Sequence, residues 1–424
     1  MNIQQRKSGS ALLRALALII FAVFCNTASA IDFPAAADTA TPSNSECLLN
    51  WAQTFHPRLF SPTVSDVQSF PPYTYRYYSG TNSYLAVSSA DNHVYYLGPN
   101  DTMLRDVGDL SVWLKESGCG AMPYPVIFVH GIASSADTWA LFRDYLINNA
   151  GWVYGGTPAY DPTAQTVAIN CPSDPGQPVS CTGNAGNFYT LNFSDNQNLS
   201  FDAQGGELAA IITAILEANP GATKVLLVSH SMGGLAAREY LQGLARQPNA
   251  ETTIPYRDDV AKLITIGAPH QGTFWAEQCR NEFDVFDVSG DIGICALLSL
   301  DIDPDSVAVE DLQPDSSPLN ILNDLATYPL PANVSYVSII GTGQPTLTGL
   351  VAFDDGDGIV SGTSQDLATV TGNLPLQQKS VEIDILFREC GNEIDVPLLG
   401  NIGETHTCET SDPGVGAEIL RDLQ

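Results

Sequence analysis

The stretch "KVLLVSHSMGGLAAREYL" (224–241) places a serine hydroxyl where two structural patterns meet. Residues 225–228 are apolar without alternation, which is typical of a buried strand, and the segment after Met232 has the spacing of a helix. Ser231 therefore falls on a sharp strand-to-helix turn, which lifts its Oγ clear of the sheet. A serine at such a turn predicts nucleophilic attack on a carbonyl carbon, if a base, an acid and oxyanion donors lie nearby.

A nucleophile turn of this kind is tight, so the residues two before and two after the serine must be small. Gly233 fulfils the second requirement, and Ser229 stands where glycine is usual. A small side chain fits where a branched one would collide with the helix, and Gly234 lets that helix pack closely on its neighbour. We interpret S-x-S-x-G, between a buried strand and an amphipathic helix, as a nucleophile turn.

The base that deprotonates the serine is expected late in the chain, because the order in such sites is nucleophile, acid, base. His406, in "GNIGETHTCET", is the only histidine far beyond Ser231 and is therefore predicted by elimination. His270 lies too near to Ser231 in sequence, and we assign it a structural role at a strand end.

The acid that orients the base is expected between Ser231 and His406, after a late strand. The stretch "FDDGDGIVSG" follows the apolar run "VSYVSIIGTG" and offers Asp354, Asp355 and Asp357. Closely spaced carboxylates and glycines are also typical of calcium sites, although no EF-hand pattern is present. The residue types leave the choice of acid open, and a structural Ca²⁺ at Asp354 and Asp355 remains an alternative.

Two backbone N–H groups are expected to hold the oxyanion that forms during attack. One comes from the residue after the nucleophile, Met232, and the other from the loop after the first strand, in "FVHGIASSADTW". Gly131 makes the turn there, so we predict the N–H of Ile132 as the second donor. His130 is interpreted as a structural part of this turn, and His230 is expected to pack behind the nucleophile.

The elements that must position these residues form a repeating strand and helix pattern. The runs "PVIFVHG", "KVLLVS", "AKLITIGAP" and "VSYVSIIGTG" are apolar without alternation, with helical spacing between them. This pattern predicts an α/β fold with a parallel sheet covered by helices on both faces. Two stretches interrupt it, 151–203 and 272–330, and we predict the second to be a cap or lid over the site.

An ordered set of motifs gives the chain a family resemblance. The stretches "VIFVHGIASSADTW", "NFSDNQ", "VSHSMGGLAAREYL", "TIGAPHQGT", "DLQPDSSPLNILN" and "DDGDGIV" resemble the α/β-hydrolase lipases of bacteria and the related glycosylphosphatidylinositol inositol-deacylase group. The resemblance covers 121–424 and departs from the family pattern at Ser229 and in 374–405. It implies an α/β-hydrolase fold, a mostly parallel sheet flanked by helices with a cap insertion. It also implies Asp357 as the acid, because Asp-Gly-Ile-Val looks like the acid turn of lipases, and hydrolysis of carboxylic esters through an acyl-serine.

A different pattern precedes this catalytic domain. After the helix-like "CLLNWAQTFHPRLF", the stretches "YTYRYY", "SYLAVS" and "HVYYLG" are separated by turn residues, which predicts a small α+β module over 47–120. It resembles a small tyrosine-rich module of secreted bacterial proteins. We interpret its aromatics as core rather than as a glycan-binding or protein-binding face, and its histidines, His56 and His93, as structural.

The amino-terminal end predicts export. Basic residues precede the apolar run Ala15–Phe24, and small residues end at Ala30, so 1–30 is expected to be a signal peptide and 31–46 a linker. The eight cysteines beyond it are an even number, as expected for disulfides in an exported chain, although they allow 105 pairings. Pairing of sequence neighbours predicts Cys47–Cys119, Cys171–Cys181, Cys279–Cys295 and Cys390–Cys408. No CxxC pair supports a metal site.

The charge balance excludes one class of partner. The chain has 47 acidic and 17 basic residues, so nucleic acid is not a general partner and an anionic membrane surface is disfavoured. No phosphate-cradling or dinucleotide motif follows a strand, so no organic cofactor is expected.

The leading hypothesis is a secreted serine hydrolase of lipid acyl esters, with transient contact to a lipid interface and no stable protein partner. Phospholipase, polyester hydrolase and acyltransferase activities would use the same triad. The alternative from another class is a secreted or surface binding protein that keeps the hydrolase scaffold without catalysis.

Overall fold

The computed structural model describes residues 44–61, 67–119, 122–172, 179–247, 250, 252–280, 302–349, 352–385, 395–396, 400–401 and 404–423. Two sheets dominate these residues: an antiparallel sheet near the amino terminus and a larger, mostly parallel sheet after it. Ser231 follows a central strand of the larger sheet, Asp357 follows a short hairpin strand outside it, and His406 lies on a helix after its last strand.

The amino-terminal module pairs a sheet with two helices. Five described strands lie in sequence order and are all antiparallel: β1 (Gln68–Phe70), β2 (Tyr73–Tyr78), β3 (Ser83–Ser88), β4 (His93–Leu97) and β5 (Arg105–Asp109). The helices are α1 (Asn44–Phe55) and α2 (Leu110–Glu116). Alternation along β2 and β3 turns Tyr78, Leu85 and Val87 towards the core, and the Tyr78 hydroxyl donates to Leu49 O at 2.9 Å.

The larger sheet contains eight described strands in the order β15-β12-β11-β10-β6-β9-β7-β8. Neighbours from β15 to β7 are parallel, and only the β7–β8 pair of these strands is antiparallel. The strands are β6 (Val126–Val129), β7 (Tyr154–Asp161), β8 (Thr166–Asn170), β9 (Phe188–Thr190), β10 (Val225–His230), β11 (Val260–Ile266), β12 (Ser335–Thr342) and β15 (Gln377–Asp384). Two short pairs lie outside it, β13 (Gln344–Leu347) with β14 (Phe353–Gly356) and β16 (Asp395–Val396) with β17 (Gly400–Asn401).

Helices connect these strands and cover both faces of the sheet. After a 3₁₀ turn at Ala136–Trp139 they are α3 (Ala140–Asn148), α4 (Phe201–Ala218), α5 (Gly233–Leu241), α6 (Phe274–Arg280), α7 (Val307–Asp311), α8 (Ser317–Leu322), α9 (Gly362–Gln365), α10 (Leu367–Thr371), α11 (Glu404–Cys408) and α12 (Pro413–Asp422). None of the helices in the described residues is long and apolar enough to cross a bilayer.

Side chains of the central strands alternate between two hydrophobic clusters. On β10, Leu227 packs into the cluster that contains α4 and α5, whereas Leu226 and Val228 pack into the opposite cluster. The opposite cluster also contains Leu48 of α1 and Ile419 of α12. The amino-terminal module therefore shares its hydrophobic core with one face of the larger sheet.

Direct contacts join the module to this face. The rings of Phe55 and Tyr145 meet edge to face at 5.0 Å, and the Trp152 indole N–H donates to Gly118 O at 3.0 Å. The predicted disulfide Cys47–Cys119 is formed and ties the two ends of the module together. A shared core of this kind couples the folding of the module to that of the sheet.

Two sequence interpretations differ from the structure. The stretch 151–203, interpreted as an interruption, supplies β7, β8 and β9 of the larger sheet, where its glycines approach other backbone and rings too closely for a Cβ. The predicted linker 31–46 ends earlier than expected, because α1 begins at Asn44. The local helical pattern there is weak, and the helix is stabilised by burial of its side chains, including Cys47 and Leu48.

Of the other three predicted disulfides, one lies wholly within the described residues, and two have one cysteine outside them. Cys171–Cys181 is formed as predicted. Cys279 and Cys408 each take part in a disulfide, and their predicted partners, Cys295 and Cys390, lie outside the described residues. The middle of the predicted cap, 281–301, also lies outside them, while α6, α7 and α8 of that segment pack on the cluster with α4 and α5.

Candidate active site

Ser231 occupies a strained turn between β10 and α5. Its φ of 54° lies in the left-handed region, which a residue with a side chain rarely adopts. A Cβ on Gly233 would come within 2.5 Å of His130 O, and a Cβ on Gly131 would come within 2.7 Å of Ser231 Cβ. The two glycines therefore allow the turn to close directly against the end of β6.

Ser229 replaces the glycine usual before such a turn and is fully buried in β10, between β6 and β11. Its hydroxyl makes no hydrogen bond within the described part of the chain. The departure from the usual pattern is accommodated because the small side chain packs inside the ladder without displacing Ser231.

The three residues predicted as nucleophile, base and acid meet at the carboxyl ends of β10 and β12. Ser231 Oγ lies 2.9 Å from His406 Nε2, and His406 Nδ1 lies 2.8 Å from Asp357 Oδ2. All three residues are buried, at 6%, 7% and 0% exposure. A carboxylate on Nδ1 fixes the imidazole tautomer that presents Nε2 as an acceptor for the serine proton.

Backbone donors hold the acid in place. Asp357 Oδ1 accepts hydrogen bonds from the N–H groups of Ile359 at 2.8 Å and Val360 at 2.7 Å. Asp354 and Asp355 lie on the exposed hairpin strand β14 and accept from backbone N–H groups nearby. Of the three candidate acids, Asp357 is the one that reaches His406.

The two predicted oxyanion donors belong to Met232, the residue after Ser231, and to Ile132, the residue after Gly131. Among the described residues, the N–H groups of Ile132 and Met232 donate no backbone hydrogen bond, so both are available to a ligand. Gly131 passes against the serine, because a Cβ there would lie 3.2 Å from Ser231 Oγ. The role of these two N–H groups as oxyanion donors stays a prediction.

The other histidines have structural surroundings. Burial lowers the pKa of His130 to about 4 and the pKa values of His230 and His270 well below their usual range. His230, predicted to pack behind the nucleophile, has its Nε2 3.0 Å from His406 O. In the module, the His56 ring contacts Trp51 and His93 pairs with Asp106, and the structural role of both stays a prediction.

Glu409 is a further residue of the site that sequence reasoning missed. Its carboxyl group is fully buried, 3.2 Å from His230 Nε2 and 3.5 Å from His406 Nδ1. Burial, and then the negative charge of Asp357, raise the pKa of Glu409 well above its usual range. The spacing of three residues after His406 on a helical segment was the one sequence signal that could have placed it there.

One group of side chains in the described residues brings potential metal ligands together: His230, His406 and Glu409, with ligating atoms within 4.8 Å of one another. Both ring nitrogens of His406 are already within hydrogen-bond distance of Ser231 and Asp357. The group is therefore better explained as part of the serine site than as a metal centre.

The parallel sheet, the nucleophile turn and the order of the site residues define an α/β-hydrolase fold, as predicted. Residues 121–287 match the profile of the family described as "PGAP1-like alpha/beta domain". The described residues thus have an α/β-hydrolase fold, and residues 121–287 are similar to the PGAP1-like family within it. The amino-terminal module lies outside the matched residues.

Two curated relatives are triacylglycerol lipases. The one from Pseudarthrobacter phenanthrenivorans is 32% identical over 158 residues, which are 37% of this chain and 36% of the relative. The one from Burkholderia plantarii is also 32% identical over 158 residues, 37% of this chain and 32% of the relative. The match thus spans about a third of the length of these relatives.

Solved structures show a weaker likeness. A mature lipase from Bacillus licheniformis is 18% identical, with a TM-score of 0.36, over 62% of this chain and 84% of that one.

Proposed function

We propose that the chain is a serine hydrolase that cleaves carboxylic esters, with lipid acyl esters as its substrates. The observation that carries the proposal is the hydrogen-bonded series from Ser231 Oγ through His406 to Asp357, at a strained turn beside two free N–H groups. The likeness to triacylglycerol lipases supports the ester class.

The geometry supports a two-step reaction. His406 Nε2 takes the proton of Ser231 as Oγ attacks the ester carbonyl, and the N–H groups of Ile132 and Met232 hold the oxyanion. The imidazolium then protonates the leaving alcohol, which leaves an acyl-serine. Water, deprotonated by His406, attacks this ester, and the proton returns to Ser231 as the free acid departs.

Secretion forms part of the same proposal. The formed disulfides Cys47–Cys119 and Cys171–Cys181 support an oxidising compartment, since such bonds are rare in a reducing cytosol. The acidic composition suits a soluble secreted chain that meets a neutral lipid interface transiently.

The decisive experiment is a chain-length profile of p-nitrophenyl esters, from acetyl to palmitoyl, on the secreted chain and on Ser231→Ala. We expect preference for long acyl chains and a loss of kcat on the order of 10⁴-fold or more in the variant. Full turnover by Ser231→Ala would contradict the proposal.

Two further measurements separate the alternatives. A fluorophosphonate probe should label the wild-type chain and not Ser231→Ala, whereas a binding protein on an inactive scaffold stays unlabelled. Repeating the profile with a chelator and with added Ca²⁺ tests the calcium alternative at Asp354 and Asp355. Transfer of the acyl group to an added alcohol in preference to water would instead identify an acyltransferase.

A further inference from the structure

The peptide between Gly131 and Ile132 carries the predicted oxyanion donor, and its carbonyl group is held by two side chains. Gly131 O lies 2.9 Å from His130 Nδ1 and accepts a hydrogen bond from Asn196 Nδ2 at 2.7 Å. His130 is 1% exposed, and Asn196 lies in the loop after β9. The orientation of this peptide is therefore fixed from two sides.

The tautomer of His130 follows from its other neighbour. The backbone N–H of Phe193 can only donate, and it donates to His130 Nε2 at 3.3 Å. Nε2 must then be the unprotonated nitrogen, so Nδ1 carries the hydrogen and donates to Gly131 O. Because burial lowers the pKa of His130 to about 4, this neutral form persists at ordinary pH.

Asn196 uses both hydrogens of its amide on the same loop. Nδ2 donates to Gly131 O and to Ser134 O, each at 2.7 Å. Both partners are carbonyl oxygens, which can only accept, so the amide nitrogen and not Oδ1 must face them. One side chain thus bridges the two ends of a loop in which Ala133 adopts a left-handed φ of 49°.

A trans peptide places its C=O and N–H on opposite sides of one plane. Two donors hold the Gly131 carbonyl on the side of His130 and Asn196, so the N–H of Ile132 points to the opposite side of this peptide, and Gly131 itself packs against Ser231. We propose that Asn196 and His130 are positioning residues that preset the Ile132 N–H as an oxyanion donor. This inference rests on the proposed serine hydrolase function.

Asn196 itself is held by the loop between β9 and α4. In that loop, Asn192 Oδ1 accepts from Ala136 N at 2.6 Å, and Glu207 of α4 accepts from Ser194 N at 2.9 Å. The loop is thereby fixed to the segment after β6 and to α4. The motif "NFSDNQ" therefore fixes the position of the loop 131–134, which carries the N–H of Ile132.

The test compares Asn196→Ala with Asn198→Ala, a control in the same loop whose side chain bonds only to Asp195 among the described residues. We expect Asn196→Ala to lower kcat on the order of 100-fold with KM unchanged, because the donor is misplaced only for the transition state. Affinity for an alkyl trifluoromethyl ketone, which forms a tetrahedral adduct on serine, should fall in parallel. Asn198→Ala should match the wild type in both.

A second variant and a stability measurement separate a loss of activity from a loss of folding. Asn196→Asp keeps the shape of the side chain and removes both donors, and the Tm of each variant reports folding independently of activity. Because His406 is untouched, the pH profile of residual activity should be that of the wild type. A folded Asn196 variant with unchanged kcat and ketone affinity would overturn this inference alone. A wild-type chain without Ser231-dependent turnover would overturn the proposed function as well.

Discussion

Two buried carboxyl groups lie near Nδ1 of His406, and they differ in the hydrogen bonds that they accept. Asp357, in the turn after β14, accepts hydrogen bonds from Ile359 N, Val360 N and His406 Nδ1. Glu409, just after α11, receives no hydrogen bond on either oxygen from the described residues, and its pKa is raised well above its usual range. Three donors thus hold the first group in place, whereas burial, and then the negative charge of Asp357, favour the protonated form of Glu409.

The difference teaches that proximity to the base does not make a carboxyl group its partner. Glu409 Oε2 lies 3.5 Å from His406 Nδ1, beyond the 2.8 Å of the Asp357 bond. Its neighbour His230 is neutral, because burial and the nearby His406 lower its pKa well below its usual range. A neutral Glu409 adds no second negative charge beside Asp357, and so leaves the polarity of the triad unchanged.

The largest effect is expected from Asp357→Asn. The two backbone donors should keep the amide oxygen, so the NH₂ group would face His406 Nδ1 and force the hydrogen onto Nε2. The base could then no longer accept the serine proton, and kcat should fall on the order of 10⁴-fold. Steady-state kinetics on a long-chain p-nitrophenyl ester measure this loss.

The control for this experiment is Asp357→Asn combined with Glu409→Gln. Without the negative charge of Asp357, ionisation of Glu409 becomes easier, since that charge is one cause of its raised pKa. Residual activity that rises with pH in Asp357→Asn but not in the double variant would show that Glu409 can replace the acid. The two carboxyl groups would then differ only in how well each can serve as the acid beside His406.

A smaller effect, on stability, is expected from Glu409→Gln. The unfolded chain releases this proton near pH 4.5, whereas the folded chain retains it to higher pH. The folded state therefore binds more protons, so this group lowers the free energy of unfolding as pH rises above about 4.5, by up to about 1.4 kcal/mol per pH unit. Glutamine does not titrate, so the variant should lack this loss.

Urea unfolding of both chains at pH 5 and pH 8 measures the difference. We expect the variant to gain stability relative to the wild type at pH 8 more than at pH 5. Equal differences at the two pH values would show that Glu409 is ionised in the folded chain, contrary to its assigned state. Activity at pH 8 should stay near the wild-type value, because glutamine resembles the protonated acid.

The sequence was sufficient for those parts of the site that depend on order and local pattern. The apolar run before Ser231 and the glycines after it predicted the turn, and elimination among few histidines predicted His406. Asp357 needed the family resemblance, because three aspartates within four positions are equivalent by type. The structure separates them by burial, since Asp357 is fully buried while Asp354 and Asp355 are exposed.

Glu409 and Asn196 were not predictable, because their roles depend on contacts between segments far apart in sequence. Asn196 acts on a loop more than sixty positions earlier, with a separation of 65 residues to Gly131. The strands within 151–203 were missed for a related reason: their many glycines weaken local strand propensity, and pairing within the sheet compensates. Where the local sequence pattern is weak, tertiary contacts determine whether such a strand forms.

The smallest effect in this comparison concerns the space that Glu409 occupies. A Cβ on Gly341 of β12 would overlap Glu409 Oε1, and the backbone φ there imposes no glycine requirement. Gly341→Ala should therefore cost about 1–3 kcal/mol of stability through overpacking.

In the background of Glu409→Ala the same substitution should cost less, since only contacts with Ile385 and Asp357 remain close. A double-mutant cycle by urea unfolding gives the coupling directly. Strict additivity would mean that Gly341 does not make room for Glu409, and that the buried acid is housed by some other feature of the turn.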